Sequence, residues 1–311
     1  MQRHRVFITG AAGLVGQNLI PALVQSGAYD IVGVDKHHAN LEILRGFFPE
    51  LRLIEADLAD PGPWRDEAAQ ADSIIMLHAQ IGGLDYGVFE RNNIAATEQV
   101  LQAAQGGRAG YVVHISSSVV NSAAKDFYTE SKKAQEAVVE ACPIPKVVLR
   151  PTLMFGWFDR KHMGWLRRFL DRTPVFPIPG DGRYLRQPLF AGDFSAIIMA
   201  CLQGRIEGAY NISGLETVDY IDMIRTLKQV TGAKAPIVNI PYGLFHTLLA
   251  TYALVNRNPP FTTAQLKALT TPDVFEVIDW PGLFGVRPTP LREAFERTFL
   301  DPRFADVALE F

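Results

Sequence analysis

Short apolar runs alternate with longer helical patterns from residue 4 to about residue 150, and this alternation restricts the fold more than any other feature. The apolar runs predict strands at Arg5–Thr9, Asp30–Val34, Leu51–Glu55, Ser73–Leu77, Tyr111–Ser116 and Lys146–Leu149. The intervening patterns predict helices at Gly13–Ser26, Leu41–Phe48, Pro63–Ala69, Glu90–Gln105 and Thr129–Cys142. Because the runs are apolar almost throughout, their strands should be buried on both faces. The pattern predicts an α/β fold with a doubly wound parallel sheet.

The second half of the chain is less regular. After Arg150-Pro151 the sequence is interrupted by Pro and Gly, and helices are predicted at Gly164–Asp171, Asp193–Leu202 and Leu291–Phe299. A length of 311 residues suits two units. We expect residues 1–170 to form the first domain and residues 171–311 a smaller lobe, part of which returns to the first sheet.

Charge and cysteine content favour a small-molecule ligand. The chain has 30 Lys plus Arg and 33 Asp plus Glu, and a net charge of −3 is too balanced for binding nucleic acid through its phosphates. Cys142 and Cys201 can form no disulfide framework and have no metal-ligand spacing, which indicates a reducing compartment. The first strand begins at once, leaving no room for a signal peptide. We expect a cytoplasmic protein with no nucleic-acid partner and no metal.

The segment Tyr242–Val255 is the longest apolar stretch late in the chain. Its 14 residues include His246 and two threonines, and it is shorter than the ~20 residues that span a bilayer. We expect no transmembrane segment and a buried helix here. Peripheral contact with a membrane is the less favoured alternative.

A glycine-rich turn follows the first strand. Thr9-Gly10-Ala11-Ala12-Gly13-Leu14-Val15-Gly16 joins that strand to the first helix. Gly10 allows a tight turn, Gly13 lets the backbone approach a pyrophosphate, and Gly16 allows close packing of helix on strand. Leu14 and Val15 open the helix, whose N-terminal N–H groups can bind phosphate. This context predicts a Rossmann-type dinucleotide site.

Asp35 supports that prediction. It directly follows the second predicted strand, 19 residues after Gly16, where its carboxylate can accept hydrogen bonds from an adenosine ribose. A carboxylate there also repels a 2′-phosphate. NAD is therefore favoured over NADP, although Lys36, His37 and His38 keep NADP open.

Candidate catalytic residues follow the fifth predicted strand. That strand ends in Ser116-Ser117-Ser118, and Tyr128 and Lys132 follow on one face of the next helix. A Lys ammonium close to the phenol, together with a positively charged nicotinamide ring, would lower the pKa of Tyr128 and make it a general base. Ser118 would hydrogen-bond the same substrate oxygen.

The G-x-x-G-x-x-G spacing and the Ser118, Tyr128, Lys132 order resemble extended short-chain dehydrogenases/reductases. From residue 4 to 299 the chain is similar to the NAD-dependent epimerase/dehydratase family, and to UDP-glucose 4-epimerases within it. Segments outside the glycine turn and the catalytic residues that match the family begin at Arg150-Pro151, at Gly180-Asp181-Gly182 and at Leu283. The resemblance implies an NAD cofactor, a nucleotide-sugar substrate and a homodimer built on the helices at 90–105 and 129–142.

The resemblance also implies further contacts. Cofactor-binding residues carried over from the family are Asp57, Leu58, His78, Ala79, Asn93 and Ser116, with Tyr128 and Lys132 also touching the cofactor. Arg186 matches an arginine that grips the substrate diphosphate, a task suited to its planar fork. For Arg186 a structural salt bridge is an equal alternative. Asp57 as a helix cap and His78 as a core residue also remain open.

Three departures from the family pattern bear on the substrate. Val119-Val120 stand where 4,6-dehydratases have Asp-Glu, so dehydration is not expected. Tyr128 follows Ser118 by only ten positions, fewer than in UDP-sugar 4-epimerases. The stretch 271–280 lacks a second diphosphate-binding arginine, so either Lys267 or Arg257 replaces it or the substrate is a different compound.

These residues support three hypotheses. The first is an NAD-dependent sugar-nucleotide epimerase, an isomerase that acts by transient hydride transfer through a keto intermediate. The second is an oxidoreductase, a ketoreductase or dehydrogenase that exchanges NAD or NADP and acts on a sugar nucleotide or related alcohol. The third is a non-catalytic dinucleotide-binding subunit, similar to an accessory member of respiratory complex I, and the presence of Ser118, Tyr128 and Lys132 together argues against it.

Overall fold

The computed structural model describes residues 3–123, 125–255, 262–271 and 275–310. The strands are β1 (His4–Thr9), β2 (Tyr29–Asp35), β3 (Arg52–Glu55), β4 (Ser73–Met76), β5 (Val112–Ile115), β6 (Lys146–Pro151), β7 (Met154–Phe155), β8 (Phe176–Pro179), β9 (Leu185–Arg186), β10 (Leu189–Phe190), β11 (Gly208–Ile212), β12 (Val218–Asp219) and β13 (Ile237–Ile240). The helices are α1 (Leu14–Ser26), α2 (His38–Phe47), α3 (Trp64–Ala69), α4 (Tyr86–Phe89), α5 (Ala96–Gln105), α6 (Phe127–Ala141), α7 (Met163–Arg172), α8 (Ala191–Gly204), α9 (Tyr220–Thr231), α10 (Tyr242–Val255), α11 (Thr263–Thr270), α12 (Trp280–Phe284) and α13 (Leu291–Phe299).

Seven of the described strands form one parallel sheet in the order β11-β6-β5-β4-β1-β2-β3. The order reverses direction between β1 and β4, and ligands of doubly wound sheets bind beyond the carboxyl ends of the strands at such a point. The predicted fold class is confirmed. The glycine turn after β1 and the residues after β4 meet at this reversal.

Both faces of the sheet are buried because successive side chains of a strand point to opposite faces. Val6 and Ile8 of β1 pack on the side covered by α1 and α8, whereas Phe7 packs with Trp64 of α3 and with α5 on the other side. All three of these β1 side chains are fully buried. This explains why the strands are apolar at nearly every position.

The helix predicted at Glu90–Gln105 differs from the structure. It begins earlier, at Tyr86, where Asp85 caps the chain by accepting a hydrogen bond from the Gly87 N–H at 2.9 Å. A π-helical turn at Glu90–Ala95 then separates α4 from α5. Such turns insert one extra residue and often occur at functional sites. Here the turn contains Asn93, which is fully buried.

The chain beyond residue 151 both completes the sheet and builds a second layer. β11 pairs in parallel with β6, and α8 packs on α1. A separate apolar cluster joins α7, β8, α9 and α13 around Phe176, Ile224 and Phe295. The segment from β7 to β11 therefore connects the carboxyl edge of the sheet with this apolar cluster.

The expectation of a buried helix at Tyr242–Val255 is wrong. α10 forms, but Leu244 is 54% exposed and Leu248 is 55% exposed. Among the described side chains of α10, Phe245 and Leu249 are half-buried. Sequence apolarity predicted burial, whereas the described elements cover this helix, from Tyr242 to Ala253, only at Phe245 and Leu249. Among the described residues, no helix is long and apolar enough to cross a membrane.

Candidate active site

Two glycines of the turn after β1 are required by close backbone contacts. Gly10 has φ +65°, and a Cβ there would lie 2.8 Å from the backbone N of His78. A Cβ on Gly16 would lie 2.3 Å from the carbonyl oxygen of Ala11. Neither contact can be relieved by rotating a side chain. These two glycines therefore hold β1, α1 and the end of β4 close together.

Gly13 and the start of α1 offer an anion-binding cradle. A Cβ on Gly13 would meet only the Gly10 carbonyl oxygen, at 3.3 Å, so its outer side is open within the described structure. Gly13 is the N-cap of α1 and supplies no side-chain hydrogen bond to the first turn. The N–H groups of Leu14 and Val15 begin that turn. A helix N-terminus of this kind fits the pyrophosphate of a dinucleotide.

Asp35 lies at the carboxyl end of β2 with its carboxylate against the same turn. One oxygen accepts the Ala12 N–H at 3.0 Å and the other accepts the His37 N–H at 3.0 Å. Asp35 is 8% exposed. Its charge is thus fixed in position beside the glycine turn, where a ribose would lie in a Rossmann site.

His78 connects β1 to α5 beneath the carboxyl edge. Its Nδ1 lies 2.7 Å from Thr9 Oγ1 and its Nε2 lies 3.0 Å from Thr97 Oγ1. Burial, with a smaller effect from the charge of Lys132, lowers the pKa of His78 to about 3. The ring is therefore neutral at physiological pH. Both of its ring nitrogens are hydrogen-bonded, so His78 has a structural role here.

Asn93 holds the segment after β4 against α6. Its Oδ1 accepts the Gln80 N–H at 2.6 Å, and its Nδ2 donates to Ser131 Oγ at 2.9 Å and to the Gln80 carbonyl at 3.2 Å. Ala79, one residue before Gln80, is exposed. The buried Asn93 thereby fixes the backbone on which Ala79 lies.

Tyr128 stands in the first turn of α6. Asp126 begins that helix by accepting the Thr129 N–H at 2.9 Å. The phenol of Tyr128 hydrogen-bonds with the side chain of Ser117, while Ser118 is half-buried at the start of a 3₁₀ turn. Burial raises the pKa of Tyr128 above its ordinary value, and the Ser117 bond only partly opposes this. The expected lowering of the pKa is therefore not provided by the chain's own groups.

Lys132 is fully buried one turn after Tyr128. Its Nζ donates to the Ile115 carbonyl at 3.0 Å and to Gln135 Oε1 at 2.5 Å. Burial lowers its pKa to about 7, although the charge of Glu136 opposes this. Near neutral pH this amine can thus either hold or release a proton, as a group that assists general acid–base chemistry must.

A buried hydrogen-bonded chain connects Lys132 to His78. Gln135 Nε2 donates to Thr97 Oγ1 at 2.9 Å, and Thr97 also contacts His78. Next to it, His114 is fully buried, and its two ring nitrogens have no hydrogen-bond partner among the described residues. Sequence reasoning missed Ser117, Gln135 and Thr97. Gln135 could have been found, because it lies on the same helix face as Lys132.

Ser116 points into a buried ion pair. Its hydroxyl donates to Glu136 Oε2 at 2.6 Å, and the same carboxylate accepts hydrogen bonds from the guanidinium of Arg150, with Nε at 3.0 and 3.1 Å. The pKa of Arg150 is raised by this bond. Arg150, in the segment that matches the family, therefore anchors the ends of β5 and β6 to α6 through Glu136.

Asp57 and Leu58 lie beyond β3. Asp57 accepts the Ala59 N–H at 3.0 Å and pairs with Arg91 at 3.4 Å. Burial opposes ionisation of Asp57, but the Ala59 N–H, Lys36 and Arg91 together lower its pKa. Leu58 is 6% exposed within the apolar core. Asp57 thus stabilises a turn, and its carboxylate remains partly accessible.

Arg186 is engaged at the end of α11. Its Nη1 donates to the carbonyls of Thr271, at 2.9 Å, and Leu185, at 2.7 Å, and its Nη2 donates to the carbonyl of Leu269. A cation at a helix C-terminus is stabilising. Arg186 therefore closes this helix in the structure. Lys267 is an exposed residue of α11, and Arg257 lies outside the described residues.

The departures at 119–120 place two apolar side chains in the turn that precedes α6. Val119 and Val120 are half-buried in the 3₁₀ turn between β5 and α6. Throughout the described ranges, no group of three or more His, Cys, Asp or Glu side chains is arranged to hold a metal ion. The chemistry available at this site is proton transfer at a phenol and a buried amine.

An apolar rim lies beside Tyr128. Phe127 is 46% exposed and packs edge-on against Tyr86 at 5.6 Å and Phe89 at 6.1 Å between ring centres. Ile81 and Leu84, in the segment before α4, are exposed. The rim suits a ligand with apolar groups.

Comparisons with known proteins agree with this geometry. The model of the NAD dependent epimerase/dehydratase family matches residues 6–213. Ceramide reductase of Caulobacter vibrioides is 26% identical over 243 residues, which cover 77% of this chain and 74% of that protein. The 2-alkyl-3-oxoalkanoate reductase of Stenotrophomonas maltophilia is 27% identical over 323 aligned positions, gaps included, which cover 91% of this chain and 94% of that protein. The fold is similar to that of UDP-glucuronic acid 4-epimerase from Bacillus cereus in complex with NAD, with a TM-score of 0.71, 22% identity and 94% of each chain covered.

Proposed function

Because the chain belongs to the NAD dependent epimerase/dehydratase family, we propose that it is an NAD-dependent sugar-nucleotide epimerase of the 4-epimerase type. The observation that carries this proposal is the buried Lys132 one helical turn from Tyr128, at the edge of the sheet where the glycine turn lies. NAD, when bound, accepts a hydride from a carbinol carbon and returns it. The apolar pair Val119-Val120 supplies no acid for dehydration.

The chain's own residues would manage the proton. Tyr128 Oη removes the proton from the substrate hydroxyl and gives it back after the keto intermediate has turned over. Ser117 orients the phenol, and Ser118 binds the substrate oxygen. Burial disfavours the phenolate, and the chain's own groups do not offset this effect. We therefore expect the positive charge of the nicotinamide ring, together with that of protonated Lys132, to favour the phenolate when NAD is bound.

The cofactor would be held by the elements that meet at the reversal of strand order. Gly10, Gly13 and Gly16 shape the turn, the N–H groups of Leu14 and Val15 face the pyrophosphate, and Asp35 accepts the ribose hydroxyls. The remaining contacts that we propose are Asp57, Leu58, His78, Ala79, Asn93 and Ser116. His78 and Ser116 would contribute mainly through their backbone, because their side chains are already hydrogen-bonded.

A ketoreductase is the second candidate, and two observations favour it. Both sequence relatives described above are reductases by name, and one acts on a 2-alkyl-3-oxoalkanoate. The rim around Phe127 would suit an alkyl chain better than a sugar. In this case Tyr128 donates its proton to the ketone oxygen once, and the cofactor is exchanged after each turnover.

We further propose a cytoplasmic homodimer whose substrate lobe is formed by residues 171–311. The exposed Ala137 and Ala141 on α6 would allow two copies of α5 and α6 to pack closely. Both cysteines are buried free thiols, as suits a reducing compartment. Light scattering should give the mass of two chains, and a one-chain mass would contradict the dimer.

In the substrate lobe, Arg186 would have to give up its hydrogen bonds to the carbonyls at the end of α11 in order to bind a substrate diphosphate.

Two measurements test the function. Freshly purified epimerase should contain bound NAD or NADH and should interconvert members of a panel of nucleotide sugars without net cofactor consumption. Stoichiometric consumption of added NADH with a keto substrate would instead support the ketoreductase. Failure to bind either dinucleotide would refute both.

Substitution of the phenol tests the catalytic role. Tyr128→Phe should lower kcat at least 1000-fold while leaving the dissociation constant of NAD within about threefold, because only the proton-transferring group is lost. Tyr210→Phe is the matched control, since the hydroxyl of Tyr210, on β11, donates to the carbonyl of Glu207 just before that strand. Ser117→Ala and Ser118→Ala separate the two hydroxyls. A Tyr128→Phe enzyme with near-normal kcat would remove Tyr128 from the mechanism.

A further inference from the structure

We propose that α10 docks on a lipid bilayer surface, inserting Leu244 and Leu248 among the headgroups and upper acyl chains. The helix has no charged residue in its 14 positions. Leu244 and Leu248 are 54% and 55% exposed, and Tyr242 and Tyr252 at the two ends are 42% and 48% exposed. Exposed apolar surface of this kind on a folded protein marks an interaction site.

The exposed surface surrounds most of the helix, and it includes His246, Thr247 and Thr251 as well as the apolar residues. From Tyr242 to Ala253 every residue except Phe245 and Leu249 is exposed, so the exposed arc covers more than half of the circumference. A helix that docks into a protein groove presents one apolar stripe with polar flanks. On α10, Leu244 and Leu248 are exposed with a tyrosine near each end and with no Lys, Arg, Asp or Glu in the helix. Exposed tyrosines at both ends of an apolar helix suit the headgroup level of a bilayer, which favours a lipid surface as the occupant.

The hydroxyls of the exposed threonines of α10 are hydrogen-bonded within the helix. Thr247 Oγ1 donates to the Gly243 carbonyl and Thr251 Oγ1 donates to the Thr247 carbonyl, both at 2.8 Å. This bond to the preceding turn is the way in which a hydroxyl is accommodated away from water. The two hydroxyls therefore add little cost when this surface leaves water.

The dimensions also favour a lipid surface over a second copy. Four side chains exposed by 42–55% present roughly 350 Å² together, if a whole large side chain has about 150–250 Å². A standard protein interface needs about 800 Å² on each partner. An interfacial helix needs only to immerse its apolar side by about 5–10 Å. At about 21 Å long, α10 can lie in the interface but cannot span the bilayer.

Charged residues near the start of α10 predict how binding depends on lipid and salt. Arg183 and Arg225 line one depression with Pro241, the residue before the helix, and with the acidic Asp181. Each is paired with a carboxylate, Asp219 at 3.0 Å and Asp222 at 2.8 Å. Attraction to anionic headgroups should therefore be weak. Binding should occur on zwitterionic vesicles and should persist at high salt.

Flotation with phosphatidylcholine vesicles tests the proposal on the full chain. The unmodified protein should float with the vesicles in low and in high salt. The double variant Leu244→Glu, Leu248→Glu should reduce the bound fraction at least tenfold. The matched control is Leu283→Glu, Leu300→Glu, whose leucines are 54% and 55% exposed outside α10 and which should still float. Equal loss in both variants, or no flotation of the unmodified protein, would overturn the proposal.

A labelled variant tests the docked surface without adding charge. Because both natural cysteines are buried, Leu248→Cys and Leu300→Cys can each be labelled selectively with an environment-sensitive fluorophore. The label at 248 should become brighter and shift to shorter wavelength with vesicles, and the label at 300 should not. Light scattering without lipid tests the alternative occupant, a second copy of this chain. An assembly that Leu248→Glu reduces to half its mass, with no vesicle response of the 248 label, would assign this surface to a second copy and overturn the proposal.

Discussion

Replacement of Lys132 by methionine should change how the stability of the protein depends on pH. Lys132 is fully buried, and burial lowers its pKa from 10.5 to about 7. At about 1.4 kcal/mol for each pKa unit, this gap corresponds to about 5 kcal/mol of unfavourable burial of the charged amine. The cost is present in full below pH 7, where both the folded and the unfolded chain hold the proton.

The sign follows from proton binding. Between about pH 7 and pH 10.5 the unfolded chain binds the proton and the folded protein does not, so the free energy of unfolding rises with pH. Lys132→Met removes this contribution. The difference in free energy of unfolding, natural protein minus Lys132→Met, should therefore rise by about 3 kcal/mol between pH 7 and pH 9.5. At high pH the natural protein should be the more stable one, since it keeps the bonds of Nζ to Ile115 and Gln135.

Urea unfolding at half-unit pH intervals measures this difference. Lys133→Met is the matched control, because Lys133 is 39% exposed and pairs with Glu130 on the surface. Its pH profile should run parallel to that of the natural protein. A parallel profile for Lys132→Met as well would refute the reasoning, because it would mean that the buried amine keeps its ordinary pKa.

Two further substitutions test the glycine turn and its carboxylate. Gly10→Ala and Gly27→Ala share a positive φ, +65° and +66°, but only at Gly10 would the Cβ meet backbone, at 2.8 Å. Gly27→Ala should cost about 1 kcal/mol in urea unfolding and Gly10→Ala at least about 2 kcal/mol more; equal losses would contradict the contact with His78. Asp35→Asn should reduce the preference for NAD over NADP at least tenfold in binding titrations, because the amide no longer repels a 2′-phosphate while it can still accept the Ala12 N–H. An unchanged ratio would exclude Asp35 as the selecting group.

Much of the fold could be predicted because its signals are local. Strands buried on both faces must be apolar throughout, as Val6, Phe7 and Ile8 are. The turn after β1 must have glycine where another stretch of backbone comes close. Helix positions four apart share a face, so the spacing of Tyr128 and Lys132 is enough to place both residues on one face of α6. These features depend on residues close in sequence.

Other features required contacts between distant segments. That Ser117 rather than Ser118 bonds the phenol depends on the 3₁₀ turn after β5. That Arg186 closes α11 depends on residues more than 80 positions away. Apolar sequence could not reveal that α10 is left exposed, because burial depends on what packs against a helix.

The sequence by itself therefore determined the α/β architecture, the dinucleotide turn and the position of Tyr128 and Lys132 on one helix face, because hydrophobic period, glycine spacing and helix geometry act over a few residues. Only the tertiary structure decided the protonation of Lys132 and the exposure of α10. Both are set by how much water the surrounding elements exclude. That quantity is a property of the packed chain and of no single segment.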